Sequence, residues 1–208
     1  MTSASRSARA SLNPAGRDLE ASGNCYKVRL FAALADIELE RVPVDLAGGA
    51  HKKPPLSEMN PLRQVPVLED DGHVVRDSQA ILVYLAGTYG GLAWWPDHAR
   101  GQAEIVQWLS FAANEVQHSL SAARLVEKFG YPLDKEAALA KAPAVLALLD
   151  AHLETNDWLA MGRPTIADCA VYPYVVLAPE GSVDLGPYGN VARWMTRLES
   201  LPGYLPRP

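Results

Sequence analysis

The segment 60–81, NPLRQVPVLEDDGHVVRDSQAI, decides the fold of this 208-residue chain. Short apolar runs at 65–68 and 73–75 flank the sequence EDDG, and an Asp-Gly pair between two such runs is the strongest short-range indication of a hairpin. The segment therefore predicts two antiparallel strands. Helical spacing of apolar residues resumes at Ser78, so a helix is expected to follow the second strand directly.

Two dipeptides in this segment suggest a ligand. Pro66 is expected at the first residue of its strand, and a cis Val65-Pro66 bond would turn the backbone groups of Val65 outward, where a peptide-like ligand can pair with them. Ser78 lies at the expected start of the next helix, where free backbone N–H groups and a hydroxyl can bind a carboxylate. Asp77 beside it supplies a negative charge for an ammonium group. Each dipeptide alone is also typical of a plain strand start or helix cap, but together they predict a site for a small zwitterion.

The rest of the chain divides into two parts. Upstream, a helix over 22–35 and a strand over 38–44 are expected, whereas apolar stripes after a glycine-rich and proline-containing linker predict only helices. This order predicts an α/β domain followed by an all-α domain. The predicted helices cover 104–126, 135–153, 165–176 and 191–198; the predicted division is an irregular tail at 1–18, a first domain at 19–88, a linker at 89–98 and a helical domain at 99–208.

Composition excludes several classes of function. With 49% hydrophobic and 21% charged residues the chain is typical of a globular protein, and a net charge of -5 without a basic stripe argues against a nucleic-acid partner. Two cysteines form neither a disulfide framework nor a four-ligand zinc site, so a reducing, cytoplasmic location and no metal are expected. The uncharged run 78–96 is interrupted by glycines and a proline and does not indicate a membrane span. The arginine-containing start is interpreted as a solvated tail rather than a transit peptide.

The order of the motifs resembles a known family. Asn60-Pro61, Val65-Pro66, the Asp-Gly hairpin, Asp77-Ser78, Ala80-Ile81 and Tyr84-Leu85 are similar to the N-terminal, thioredoxin-like domain of the cytosolic glutathione transferases. The tail, from Ala178-Pro179-Glu180-Gly181 to Leu201-Pro202-Gly203-Tyr204, also resembles bacterial members of this family. The second half resembles their all-helical domain, and its 164–168 sequence, PTIAD, is similar to that domain's capping box. The resemblance covers about residues 22–205 and implies a homodimer that uses glutathione as co-substrate in detoxification.

The resemblance also implies where glutathione binds. The residue before the cis-proline would pair with the cysteinyl part, which places this role on Val65, and the acid-serine pair would hold the γ-glutamyl end, which places it on Asp77 and Ser78. Most relatives have glutamate where this chain has Asp77, and one methylene less weakens the expected grip. The glycine carboxylate end has several candidates, namely His51, Lys53, Arg63 and Gln64 beside Pro66.

The expected chemistry lies in Ser22-Gly23-Asn24-Cys25, at the start of the first helix. In the family the thiolate of glutathione attacks an electrophilic carbon, and a hydroxyl donor at the positive end of a helix lowers the pKa of the thiol. Ser22 matches the family's serine, and Asn24 is a further donor or a helix cap. Cys25 is interpreted as a buried small side chain, with a redox nucleophile as the alternative.

The second domain is expected to supply the pocket for a small apolar electrophile. Asn114 and His118 lie one turn apart on one helix face, with Arg124 beyond them, and a solvated face or subunit contact is the alternative interpretation. His118 is the reserve candidate for orienting the thiol if Ser22 is displaced. Displacement is an open question because the stretch 14–21 contains only Leu19 as a bulky apolar residue, so the first strand either forms with little packing or shifts.

Three functions therefore remain open at this level. The first is a glutathione transferase acting on small apolar electrophiles. The second is a glutathione-dependent thiol-disulfide oxidoreductase working through Cys25. The third is a non-catalytic binding protein of the same fold.

Overall fold

The computed structural model describes residues 13–208, so most of the predicted N-terminal tail lies outside the described residues. The first domain contains a sheet of four strands, β1 (Ala15–Asp18), β2 (Glu40–Pro43), β3 (Val67–Asp70) and β4 (His73–Arg76). Their order is β2-β1-β3-β4, and β1 runs parallel to β2 and antiparallel to β3. Helices connect β1 to β2 and β2 to β3, whereas a tight turn joins β3 to β4. The helices are α1 (Gly23–Leu34), α2 (Leu56–Met59) and α3 (Ser78–Leu85).

Strand β1 forms although its side chains offer little apolar surface, which answers the question that the sequence left open. Asp18 is 6% exposed and accepts hydrogen bonds from Arg29 on α1 and, at 2.7 Å, from Arg41 beside it on β2. Arg17 on the opposite face pairs with Glu69 of β3 at 3.1 Å. Backbone ladders to two neighbours and these ion pairs specify the central strand in place of apolar packing. Strand β1 therefore lies at residues that the sequence assigned to the N-terminal tail.

The hairpin and the helix after it follow the prediction closely. Strands β3 and β4 pair antiparallel from Val67↔Arg76 to Asp70↔His73. The Val65-Pro66 bond is cis, as predicted, and the strand begins one residue later than expected, at Val67. Helix α3 starts at Ser78 with Asp77 as its N-cap. A second cis bond, Pro54-Pro55, was not predicted.

The second domain is all-helical, as predicted. The expected helix 104–126 is longer, because α4 and α5 continue one another through a segment of wider π-type turns. The remaining ends differ from prediction by one or two residues, as is common where helices fray. The elements are α4 (Ala99–Phe111), the π-type segment Ala112–Ser121, α5 (Ala122–Phe129), α6 (Lys135–Thr155), α7 (Ile166–Val176) and α8 (Gly189–Glu199). Within 13–208 no helix is long and apolar enough to cross a membrane.

Helix α7 is the centre of the second domain, and all of its residues are buried. Its start is fixed by the predicted capping box, in which Thr165 and Asp168 cap the helix reciprocally. The carboxylate of Asp168 also accepts from the indole N–H of Trp194 at 2.9 Å and from the backbone N–H of Leu159 at 3.1 Å. One buried acid thus joins α7 to α8 and to the loop before it.

Helix α1 packs against α3 of the first domain and α7 of the second, so the two domains share one apolar core. The C-terminal segment closes this interface from the other side. The hydroxyl of Tyr26 donates to the carbonyl of Leu205 at 2.6 Å, and Tyr172 and Tyr204 join their hydroxyls at 2.7 Å. The start of α1 is therefore held by contacts from both domains.

Candidate active site

The starts of α1 and α3 meet at one place. The Ser78 hydroxyl lies 3.3 Å from Oδ1 of Asn24, and Ser78 is buried while Asp77 is exposed. The Asp77 carboxylate accepts from the backbone N–H of Gln79 at 2.9 Å and of Ala80 at 3.1 Å. The backbone φ angle of Asp77 is 76°, in the left-handed region that residues other than glycine adopt at a cost of about 1 kcal/mol or more. Such strain is typical of functional sites.

Ser22 occupies the N-cap position of α1. Its Oγ accepts from the backbone N–H of Cys25 at 3.3 Å, which leaves the O–H proton available to donate to another group. The first turn of α1 carries no acidic residue that would neutralise the positive end of the helix. Ser22 is half-buried, and β1 ends four residues before it. Because the first strand forms, it does not shift Ser22 away from the start of α1. A sulfur anion beside Ser22 would meet a hydroxyl donor and a favourable helix dipole.

Cys25 lies in the opposite electrostatic environment. Its side chain is 1% exposed, and burial raises the pKa of its thiol to about 11. A weak hydrogen bond from the Leu19 backbone N–H to Sγ, at 3.4 Å, opposes this only in part. A reactive cysteine needs the thiolate and access to solvent, and Cys25 has neither. The geometry agrees with the interpretation of Cys25 as a buried small side chain.

The loop before the cis-proline is shaped by Asn60, which is 2% exposed. Its side chain donates to the Gln64 carbonyl at 2.9 Å and accepts from the Leu62 backbone N–H at 3.0 Å. Val65 follows this loop and lies outside the strand ladder, which starts at Val67. The first member of the Asn60-Pro61 motif therefore positions the backbone of Val65.

Two candidates for the glycine carboxylate, His51 and Lys53, precede this loop, and Arg63 and Gln64 lie within it. Lys53, Arg63 and Gln64 are exposed. His51 is half-buried, and its Nδ1 is shielded from solvent without a hydrogen-bond partner among residues 13–208. A buried polar atom without a partner calls for an explanation, and a bound ligand is one.

Asn114 and His118 share one helix face, as the spacing predicted. His118 Nδ1 lies 2.9 Å from the Asn114 carbonyl oxygen, and both side chains are exposed. They line a groove of about 490 Å³ together with Glu115, Lys141, Ala144 and Val145. Ser22, Val65, Asp77 and Ser78 do not line that groove. The structure thus brings Asn114 and His118 together, but not with the proposed glutathione residues.

The sequence interpretation did not foresee the burial of two basic residues, Arg124 and Lys27. Arg124, 1% exposed, donates to the carbonyl of Ala21 at 2.9 Å and to Glu180 at 2.7 Å, so α5 holds the residue directly before Ser22. Lys27 on α1 is fully buried, and its Nζ lies 5.1 Å from the ring centroid of Tyr174 on α7. Burial lowers the pKa of Lys27 to about 7, against the attraction of Asp77. A lysine beside an apolar stripe carries no sequence signal for burial.

The ring of Tyr174 also explains Gly23. A Cβ at position 23 would lie 2.6 Å from Cε1 of that ring, closer than real Cβ atoms come. Only glycine lets α1 approach α7 this closely. The start of α1, which carries Ser22 and Asn24, therefore packs directly against α7 of the helical domain.

Comparisons with known proteins agree with this architecture. Residues 21–88 match the family model of the glutathione S-transferase N-terminal domain, and residues 120–202 match that of the C-terminal domain. Glutathione S-transferase 2 of Anopheles gambiae is 31% identical over 189 residues, which cover 89% of this chain and 90% of that protein.

Solved structures superpose over nearly the whole chain. A possible glutathione S-transferase from Rhodopseudomonas palustris has a TM-score of 0.85 at 34% identity, covering 93% of this chain and 97% of that one. A delta-class glutathione transferase from Nilaparvata lugens has a TM-score of 0.83 at 30% identity, covering 92% and 91%. Both family models and the relative from Anopheles gambiae agree with the fold, and the chain belongs to the glutathione S-transferase family.

Proposed function

We propose that the protein is a glutathione transferase that adds the thiolate of glutathione to small apolar electrophiles. The observation that carries this proposal is Ser22 at the N-cap of α1, beside the contact between Asn24 and Ser78. A hydroxyl donor and an unneutralised helix start both favour a thiolate over a thiol. Glutathione held at Ser78 would extend toward Ser22 along the same helix starts.

In the proposed site each end of glutathione meets its chemical complement. The γ-glutamyl carboxylate is received by Ser78 and the N–H groups at the start of α3, and the α-ammonium by Asp77. The backbone of Val65 pairs with the cysteinyl part as an added strand would. His51, Lys53 and Gln64 are proposed for the glycine carboxylate, where a cation or amide donor is required.

The proposed reaction needs little from the protein beyond the thiolate. The thiol proton passes to solvent, Ser22 donates a hydrogen bond to the sulfur anion, and the sulfur attacks an electrophilic carbon. A carbon–sulfur bond forms while the leaving group departs with its electron pair. With a chloronitrobenzene the products are the aryl thioether, chloride and the released proton.

Turnover of a chloronitrobenzene with glutathione at neutral pH tests the proposal. Ser22→Ala should slow conjugation by roughly 10- to 1000-fold, because a preorganised charge-assisted donor is lost. Retention on immobilised glutathione should persist, since binding rests on Val65, Asp77 and Ser78. Ser110→Ala, which removes an exposed hydroxyl from α4, is the matched control and should be silent.

Cys25 separates the remaining functions. Cys25→Ser should leave conjugation largely intact and alter only the packing. Loss of activity in Cys25→Ser with an active Ser22→Ala would replace this proposal by disulfide exchange at Cys25. A chain that fails to bind glutathione would be the non-catalytic protein instead. The burial of Cys25 argues against the disulfide enzyme.

We further propose a cytoplasmic homodimer with a detoxifying role. Family membership is what supports the dimer. Two buried free cysteines suit a reducing compartment. Sedimentation equilibrium should give twice the 22.5 kDa of one chain, and a monomer mass would overturn the dimer.

A further inference from the structure

Lys27 lies where α1, α3 and α7 meet. Gly23 and Lys27 are one turn apart, and both contact the ring of Tyr174 on α7. Asn24, three residues before Lys27 and therefore on a neighbouring part of the same face, reaches Ser78 at the start of α3. Lys27 thus lies one turn of α1 from the residue that contacts Ser78, and close enough to Asp77 for that charge to act on its amine.

The ammonium of Lys27 is left without compensation. The side chain is 0% exposed, and Nζ has no hydrogen-bond partner among residues 13–208. The Tyr174 ring, at 5.1 Å, is its one cation–π contact in this part of the chain. Buried cations in proteins are normally paired or bound to a ligand, so the lone Nζ requires an explanation.

The charges that act on Lys27 come from few groups. From α3 the only charged group is Asp77, which favours the ammonium, and from α7 the facing titratable group is the Tyr174 phenol. Burial raises the pKa of Tyr174, so it stays neutral around pH 7. Burial also brings the pKa of Lys27 down to about 7, so the free protein holds this amine partly neutral.

We propose that Lys27 is the buried countercharge for the carboxylate that Ser78 receives, and that glutathione binding transfers a proton from solvent to its amine. This inference rests on the proposed function, because it assigns a further binding residue to the same site. The carboxylate would arrive at buried Ser78, where water screens charge poorly, whereas the ligand ammonium would face exposed Asp77. The carboxylate therefore outweighs the ammonium in its effect on Lys27.

Calorimetric titration with S-methylglutathione tests the proposal, since this ligand has no thiol proton to release. Titrations at about pH 7.5 in phosphate and in Tris, whose ionisation enthalpies differ, give the number of protons taken up per site. The wild type should take up roughly half a proton or more. Lys27→Met should take up none and bind about tenfold more weakly, with the deficit shrinking toward about pH 9.5.

Two further variants sharpen the test. Lys27→Arg keeps a permanent charge and should bind S-methylglutathione without proton uptake. A cooperative melting curve is the control that this variant folds. Lys52→Met removes an exposed lysine and should behave as the wild type. Binding without proton uptake in the wild type, or unchanged uptake in Lys27→Met, would overturn the role of Lys27 and leave the transferase standing. If the wild type fails to bind S-methylglutathione, the glutathione site itself falls, and this inference with it.

Discussion

Replacing Lys27 by methionine should make the protein more stable at neutral pH. The change removes an amine that is 0% exposed and keeps a flexible chain of similar length. Burial of an unpaired charge is unfavourable, and an apolar side chain of similar volume at such a site is often stabilising by about 1 to 4 kcal/mol. A residue that reduces stability yet lies near a proposed binding site is typical of a functional group.

The magnitude follows from the shift of the pKa. In the unfolded chain Lys27 has its ordinary pKa of 10.5, and in the folded protein the value is about 7. Between these values the unfolded state binds more protons, so the free energy of unfolding rises with pH by up to about 1.4 kcal/mol per pH unit. Methionine at position 27 does not titrate. From about pH 7 to pH 9 the free energy of unfolding of the wild type should therefore rise by about 2 kcal/mol relative to that of Lys27→Met.

Urea denaturation of both proteins at about pH 7, 8 and 9, under reducing conditions, measures the difference. Comparing the two proteins at each pH cancels the titration of cysteines and tyrosines, which is common to both. Lys52→Met, an exposed control, should follow the wild type at every pH. A difference that does not change with pH, or a Lys27→Met protein that is less stable at neutral pH, would refute the reasoning.

Gly23→Ala should lower the melting temperature and the conjugation rate together, because its Cβ would lie 2.6 Å from the aromatic ring on α7; Gly189→Ala, with nothing within 4 Å, should change neither. Asp18→Asn should cost about 3 kcal/mol in urea denaturation, because two arginine partners lose their carboxylate, and a cost below the error of the measurement would contradict the ionic account of β1. Asp168→Ala should cost about 3 kcal/mol or more, because three buried N–H donors lose their acceptor. An unchanged melting temperature would contradict this role of the Asp168 carboxylate.

Features that depend on neighbours in the chain were predictable. The Asp-Gly turn, the cis Val65-Pro66 bond, the start of α3 at Ser78 and the capping box before α7 all appear as predicted. Each rests on a turn residue, a proline or a cap within a few positions of the feature. The candidate residues at the starts of α1 and α3 could be identified from the sequence for the same reason.

Strand β1 and the burial of Lys27 were decided by tertiary structure alone. The carboxylate of Asp18 on β1 finds its arginine partners 11 and 23 residues further along the chain. Lys27 is buried because α7, about 150 positions downstream, packs its Tyr174 ring against α1 at Gly23. Propensity and periodicity act over a few residues, whereas the ion pairs and burial at these sites arise only when distant segments pack together.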